Sequence, residues 1–155
     1  MSEPLSQLAT RVWQDRHAIA SELVARGKWA RPDADRQLML FLVPCMLAGA
    51  DGAALPEDVR DELNALREYT RYPGGHPARR SDAEARALFA TIVAGPLMWS
   101  AALGDAAARA AQRCIADPTE DNRRRCMDLA ALCRALDVSI PCLPSTSSQP
   151  ERKAA

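Results

Sequence analysis

The stretch from residue 55 to residue 104 reads LPEDVRDELNALREYTRYPGGHPARRSDAEARALFATIVAGPLMWSAALG and holds two helical patterns around a turn-rich loop. The first pattern opens at Pro56, a residue suited to the first helical position, and acidic residues follow it at the positive end of the helix dipole. Apolar residues then recur at helical spacing, at Val59, Leu63 and Leu66. The pattern predicts an amphipathic helix that ends near Tyr72, because Pro73 disfavours helical backbone at the preceding residue.

The second pattern begins at Ser81, whose hydroxyl can accept a hydrogen bond from the backbone amide of Glu84 in a capping box. A broad apolar face follows, formed by Ala85, Leu88, Phe89, Ile92 and Val93. Gly95-Pro96 is expected to break or kink this helix. The apolar character continues to Gly104, which we predict to be a C-terminal stop.

Residues outside this stretch also follow helical spacing. We predict helices over residues 2–27, about 32–48, 106–116 and from the start signal at Asp117 to about 136, with Asp105 capping the third. Pro44 is expected to kink or split the second, and Ile115 to face inward. His17 is expected on a solvated side and Trp29 over a helix junction. The fold class is therefore all-α, a compact bundle of about five to six helices without a sheet.

Length and composition favour one domain. A chain of 155 residues is large enough to bury most of its apolar surface. We place a single helical domain at 1–144 and a disordered tail at 145–155, because the tail is rich in serine and charge and lacks apolar residues. Lys+Arg and Asp+Glu both total 20, and this balance argues against a general nucleic-acid or membrane-surface binder.

Targeting and metal signals are missing from the sequence pattern. The N-terminus lacks the basic start and apolar core of a signal peptide, and the run from Leu38 to Ala50 is too short to span a bilayer. We therefore expect a cytoplasmic protein that does not enter membranes. The cysteines are odd in number, five, and no pair has CxxC spacing. With histidines only at 17 and 76, we predict no metal site, no cofactor and buried, reduced thiols.

Part of the central stretch resembles HEPN domains. The run LREYTRYPG at 66–74, followed by SDAEA at 81–85 and an apolar helix, is similar to the loop and helix start in the C-terminal part of that family. HEPN ribonucleases use an arginine and a histidine separated by four to six residues, often from both protomers of a dimer. Arg71 and His76 have four residues between them, so the resemblance implies metal-independent RNA cleavage by this pair.

The chemistry of this pair is consistent with that implication. A histidine that titrates near neutral pH can move the proton of a ribose 2′-hydroxyl, and a guanidinium can hold the scissile phosphate. The neighbouring Arg67, Tyr72, Arg79 and Arg80 would form a rim that contacts phosphates and bases. The alternative is an exposed loop histidine without a function, since Pro73 and the glycines after it place the motif in a loop.

Two functions follow from these observations. The first is a non-enzymatic helical protein-interaction module, of the accessory, adaptor, antitoxin or host-interaction type, that binds another protein or itself as a homodimer. It rests mainly on missing catalytic motifs: the sequence has no P-loop, GxGxxG, GxSxG or HExxH. The second is the HEPN-like ribonuclease, or an inactive relative, with RNA as partner. Partner identity, RNA preference and oligomeric state stay open.

Overall fold

The computed structural model describes residues 3–71 and 96–142, with side chains described within 3–67 and 99–142. These residues form five helices and no strand, and about 76% of them are helical. The predicted all-α class is confirmed. The helices are α1 (Leu5–Ala25), α2 (Arg31–Leu47), α3 (Glu57–Arg71), α4 (Pro96–Ala116) and α5 (Glu120–Ala135). The helix predicted to start at Ser81 and the tail predicted at 145–155 lie outside the described residues.

The chain divides into two compact units, Met1–Ala102 and Leu103–Ala155, with the division inside α4. The prediction of one domain over 1–144 stays a prediction. In the first unit, α1 packs along α2, and the Arg16 guanidinium lies 5.0 Å from the centre of the Phe41 ring. Gly27, which has a φ of 73°, follows the end of α1 where the sequence predicted a stop.

Aromatic side chains take part in the packing of the first unit. Trp29 packs against the core formed by Ala20, Ala34 and Leu38, which confirms its predicted position over a helix junction. The prediction that His17 lies on a solvated side is wrong. It is half-buried and stacks on Trp13, with ring centres 5.0 Å apart and planes 16° apart. A histidine four residues after a tryptophan lies above it on the same helical face, which explains the difference.

The second half of α2 is buried on every side. Residues 38–45 are all buried, as the uniformly apolar sequence predicted for a central helix. Pro44 does not split the helix, which continues to Leu47. Proline removes one backbone donor, but the Pro44 carbonyl still accepts from the Ala48 amide at 2.9 Å. The surrounding apolar packing therefore holds the helix through the proline.

The α3 helix presents the apolar face that the sequence predicted. Leu63 and Leu66 are fully buried, while Asp61 and Glu62 are exposed. The loop between α2 and α3 turns at Gly49 and Gly52, which have φ values of 73° and 83°. These left-handed conformations require glycine.

The predicted helix break at Gly104 is wrong. The α4 helix runs through Gly104 and Asp105 to Ala116, so Asp105 is not a cap. A Cβ on Gly104 would lie far inside van der Waals contact with the Ser139 carbonyl oxygen and 3.4 Å from Pro141 Cδ. Glycine is therefore required at this position because the chain after α5 passes directly over the helix.

The N-cap of the last helix lies two residues later than predicted. Thr119, rather than Asp117, is the N-cap of α5, and its hydroxyl accepts a hydrogen bond from the Asn122 amide at 3.1 Å. Asp117 contributes through its carbonyl, which accepts from Asn122 Nδ2 at 2.8 Å. On the buried side of α5, Asp128 pairs with Arg124 at 3.1 Å, one helical turn earlier.

Candidate functional site

The predicted arginine–histidine site lies mostly outside the described residues. Tyr72, His76, Arg79 and Arg80 fall between residues 71 and 96, where nothing is described. Arg71 is the last residue of α3, and its side chain is not described either. Their roles in catalysis and RNA contact stay predictions.

Arg67 is the one residue of that predicted set whose side chain is described. Its guanidinium donates to the carbonyl oxygen of Ala50, and a second nitrogen lies 3.4 Å from Asn64 Oδ1. Ala50 is 3% exposed, so this carbonyl needs an internal donor. The contact gives Arg67 a structural task, which is to hold the α2–α3 loop against α3.

Two further side chains hold the same loop. Arg60 donates to the carbonyl oxygens of Gly52 at 3.1 Å and Leu55 at 3.4 Å. Gln14 of α1 donates to the carbonyl oxygen of Ala54 at 3.1 Å. Long polar side chains thus add to the backbone bond from the Leu55 amide to the Gly52 carbonyl oxygen, at 2.9 Å, in satisfying the carbonyls of this loop.

A groove of about 470 Å³ lies between α1 and this loop. Its lining combines hydroxyl and amide side chains of α1 with small residues of the loop. The Arg11 guanidinium at the groove is matched by Glu3 in a two-bond ion pair, with distances of 2.5 and 2.7 Å. The groove therefore offers no uncompensated cation to a phosphate or carboxylate, and we do not assign a ligand to it.

Buried thiols are poor candidates for nucleophiles. Burial raises the pKa of Cys45 to about 12, with a hydrogen bond from Thr10 opposing the shift, and raises the pKa of Cys133 to about 11. The pKa of Cys126 is also raised, by burial and by the neighbouring Cys114. These three thiols are protonated at neutral pH, whereas thiolate is the reactive form. Within 3–67 and 99–142, no group of three or more His, Cys, Asp or Glu side chains is placed to hold a metal ion.

The second unit contains a helical hairpin, formed by residues 103–116 of α4, the short connection and α5. The Cys133 thiol donates to the Leu103 carbonyl oxygen at 3.9 Å, which brings the C-terminal half of α5 beside residue 103. The two helices therefore run antiparallel. Cys126 lies seven residues before Cys133, and Cys114 eleven residues after Leu103. Both intervals are close to whole numbers of helical turns, so Cys114 and Cys126 lie on the facing sides.

Two large apolar side chains follow these cysteines and are exposed. Ile115 is 84% exposed and Met127 is 70% exposed. In an antiparallel pair, the two helices are related by a two-fold axis perpendicular to the plane that contains them, and this axis exchanges equivalent positions. Residues that each follow a facing residue therefore project to the same side of the hairpin. Ile115 and Met127 thus belong to one surface, which we call the hairpin face.

Arginines flank Met127 on this face. Arg123 and Arg134 lie four residues before and seven residues after Met127, within about 40° of it around the helix. Both are exposed, and neither guanidinium forms an ion pair or hydrogen bond in the described part of the chain. Glu120 is the acidic residue on the same side, at the start of α5. The hairpin face therefore has apolar side chains at its centre, and along α5 its border carries two arginines and one glutamate.

The sequence pattern missed this surface. Ile115 was expected to face inward with Cys114, but adjacent helical residues differ by about 100° in direction, and only Cys114 turns toward α5. Met127 was not predicted to be a surface residue because it follows a cysteine in a stripe predicted to be buried. A signal was present in the sequence: Met127 is the one large apolar residue at the helical spacing of Glu120, Arg123 and Arg134.

Comparison with protein-family models, with curated proteins and with solved structures produced no match. The HEPN resemblance therefore stays a prediction. In the described residues no helix is long and apolar enough to cross a membrane.

Proposed function

We propose that this chain is a non-enzymatic protein-interaction module that binds another protein through the hairpin face. The observation that supports the proposal is the exposure of Ile115 and Met127, at 84% and 70%, on one side of the hairpin. Isolated surface apolar residues are common, but two large side chains on one face with a charged border resemble the centre and rim of an interface.

The chemistry of the described residues supports binding rather than catalysis. The described buried thiols have raised pKa values, the groove beside α1 has its arginine paired, and the partly buried Arg67 is engaged with the loop. By contrast, the hairpin face exposes apolar surface to water while the chain is alone, and this exposure is unfavourable in free energy. Covering that surface in a complex would recover about 25 cal/mol per Å².

The test is a comparison of complexes recovered from cells that carry the gene naturally. Full-length protein with Ile115→Asp and Met127→Asp is compared with wild type by cross-linking, affinity purification and quantitative mass spectrometry. Leu47→Asp is the matched control, because Leu47 is an exposed apolar residue, 51% exposed, in the first unit. We expect the double variant to lose a partner that wild type and the control retain, and the purified partner to bind the wild type directly.

Both altered residues are exposed, so the variants should fold. Their unfolding free energies are expected to lie within about 0.5 kcal/mol of wild type. If every protein recovered with wild type is recovered equally with the folded double variant, the hairpin face is not the binding surface and the proposal fails.

A further inference from the structure

The charges around the hairpin face restrict what it can bind. Arg123 and Arg134 are separated by eleven residues along α5, which corresponds to about 16 Å, with Met127 between them. Both side chains are exposed, and neither guanidinium has a partner among the described residues. Arg124, by contrast, is engaged with Asp128 at 3.1 Å.

We infer that the partner presents an amphipathic helix whose apolar stripe covers Ile115 and Met127 and whose flanking carboxylates meet Arg123 and Arg134. This inference rests on the proposed function and adds the chemical class of the partner. A helix fits because its apolar residues at three- and four-residue spacing form a continuous stripe, which can cover both apolar side chains. Carboxylates fit because a guanidinium can donate two parallel hydrogen bonds to the two oxygens of a carboxylate.

Other occupants match the face less well. A nucleic acid would meet the two arginines, but it would leave Ile115 and Met127 facing a charged backbone. A second copy of this chain would place Arg123 and Arg134 of one hairpin face near the same residues of the other, and on the described part of α5 Glu120 is the acidic residue on this side. Like charges facing one another oppose association.

The experiment is a peptide selection against the full-length protein. The library contains helix-forming peptides of about 18 residues, or five turns, with a fixed leucine stripe and with Glu, Lys or Ser varied at the flanking positions. We expect the selected peptides to be rich in Glu beside the stripe. Their affinity should fall about tenfold on Arg123→Glu with Arg134→Glu, the sum expected for two reversed surface pairs, and should fall with added salt.

A matched control separates local from general electrostatics. Arg109→Glu with Arg113→Glu makes the same change in net charge on the same hairpin, but both residues are exposed on other sides of α4. These changes should leave the affinity within about twofold of wild type. The variant reversed at residues 123 and 134 should instead select Lys-rich peptides.

Each remaining outcome overturns the inference. Peptides selected without preference for Glu, equal loss in both charge-reversed variants, or no peptide enriched over an unrelated helical protein would exclude an acidic helix as the occupant. Dimers in analytical ultracentrifugation that disappear with Met127→Asp would assign the face to a second copy. If charge reversal has no effect while Ile115→Asp with Met127→Asp still releases the cellular partner, the proposed function stands and only this inference fails.

Discussion

Replacing Gly104 by alanine tests the close packing of α4 against the chain that follows α5. At an unhindered helical position this change stabilises a helix by about 1 kcal/mol. Here the new methyl group would meet the Ser139 carbonyl oxygen and lie 3.4 Å from Pro141 Cδ. Overpacking of a closed site costs about 1–3 kcal/mol, so we expect net destabilisation of that order and a melting temperature lower by several degrees.

The assay is urea unfolding monitored by circular dichroism, with Asp105→Ala as the control. Asp105 is the exposed neighbour in the same helix, where alanine should add about 0.5 kcal/mol through helix propensity. The loss of stability caused by Gly104→Ala should also disappear in a chain that ends at Asp137, because the obstructing Ser139 carbonyl is then removed. If Gly104→Ala stabilises the full chain as much as an open helical site would, the described packing over α4 is wrong.

Four further predictions follow from the described contacts. Because burial holds the Cys45 thiol protonated to a pKa of about 12, stability should fall as pH rises above the unfolded pKa of 9.0, and Cys45→Ala should weaken that dependence in unfolding measured at pH 7 and pH 10. Arg67→Ala should cost about 1–3 kcal/mol in urea unfolding by leaving the Ala50 carbonyl unpaired, and an equal stability of variant and wild type would contradict this. Glu62 is exposed as a residue, but partial loss of solvation at its carboxyl group and the charges of Asp58 and Asp35 raise its pKa. Its charged form is therefore disfavoured in the folded state, and Glu62→Gln should raise the melting temperature at pH 7 but not at pH 4. A mixed RNA pool in EDTA should stay intact with purified wild type, and cleavage that disappears in His76→Ala would support the HEPN-like ribonuclease instead.

The helices were predictable wherever one face was apolar or a start signal was clear. Leu63 and Leu66 repeat at helical spacing, and residues 38–43 are apolar on all sides, so local pattern alone determined their burial. Gly104 shows where local pattern fails. Glycine is used both to end helices and to admit a neighbouring chain, and only the position of Ser139, 35 residues later, decides between these uses. Of the two outcomes predicted for Pro44, a split of the helix is excluded, because α2 continues through the proline to Leu47.

The candidate surface was harder to predict than the fold. Whether Ile115 faces α5 depends on the rotation of α4, and a change of one residue moves a side chain by about 100°. The sequence gives that rotation only approximately near a helix end. In the structure, the Cys133 thiol donates to the Leu103 carbonyl oxygen at 3.9 Å, and this contact shows how α4 and α5 are aligned. The predicted Arg71–His76 pair, in contrast, was chosen from a local motif, and its geometry lies outside the described residues.

Residues 38–45 of α2 are all buried, so this segment has no polar side that would orient it against its neighbours. An amphipathic helix is oriented by its polar side, whereas this segment would satisfy the hydrophobic effect at many rotations about its own axis. One rotation is favoured by the first half of α2, where Ala34 is buried between exposed residues, and by directional contacts such as Arg16 over the Phe41 ring and the hydrogen bonds from Arg60 and Arg67 to the loop that continues α2. In the first unit, apolar packing supplies most of the favourable free energy of folding, and a few arginine contacts add interactions that depend on direction.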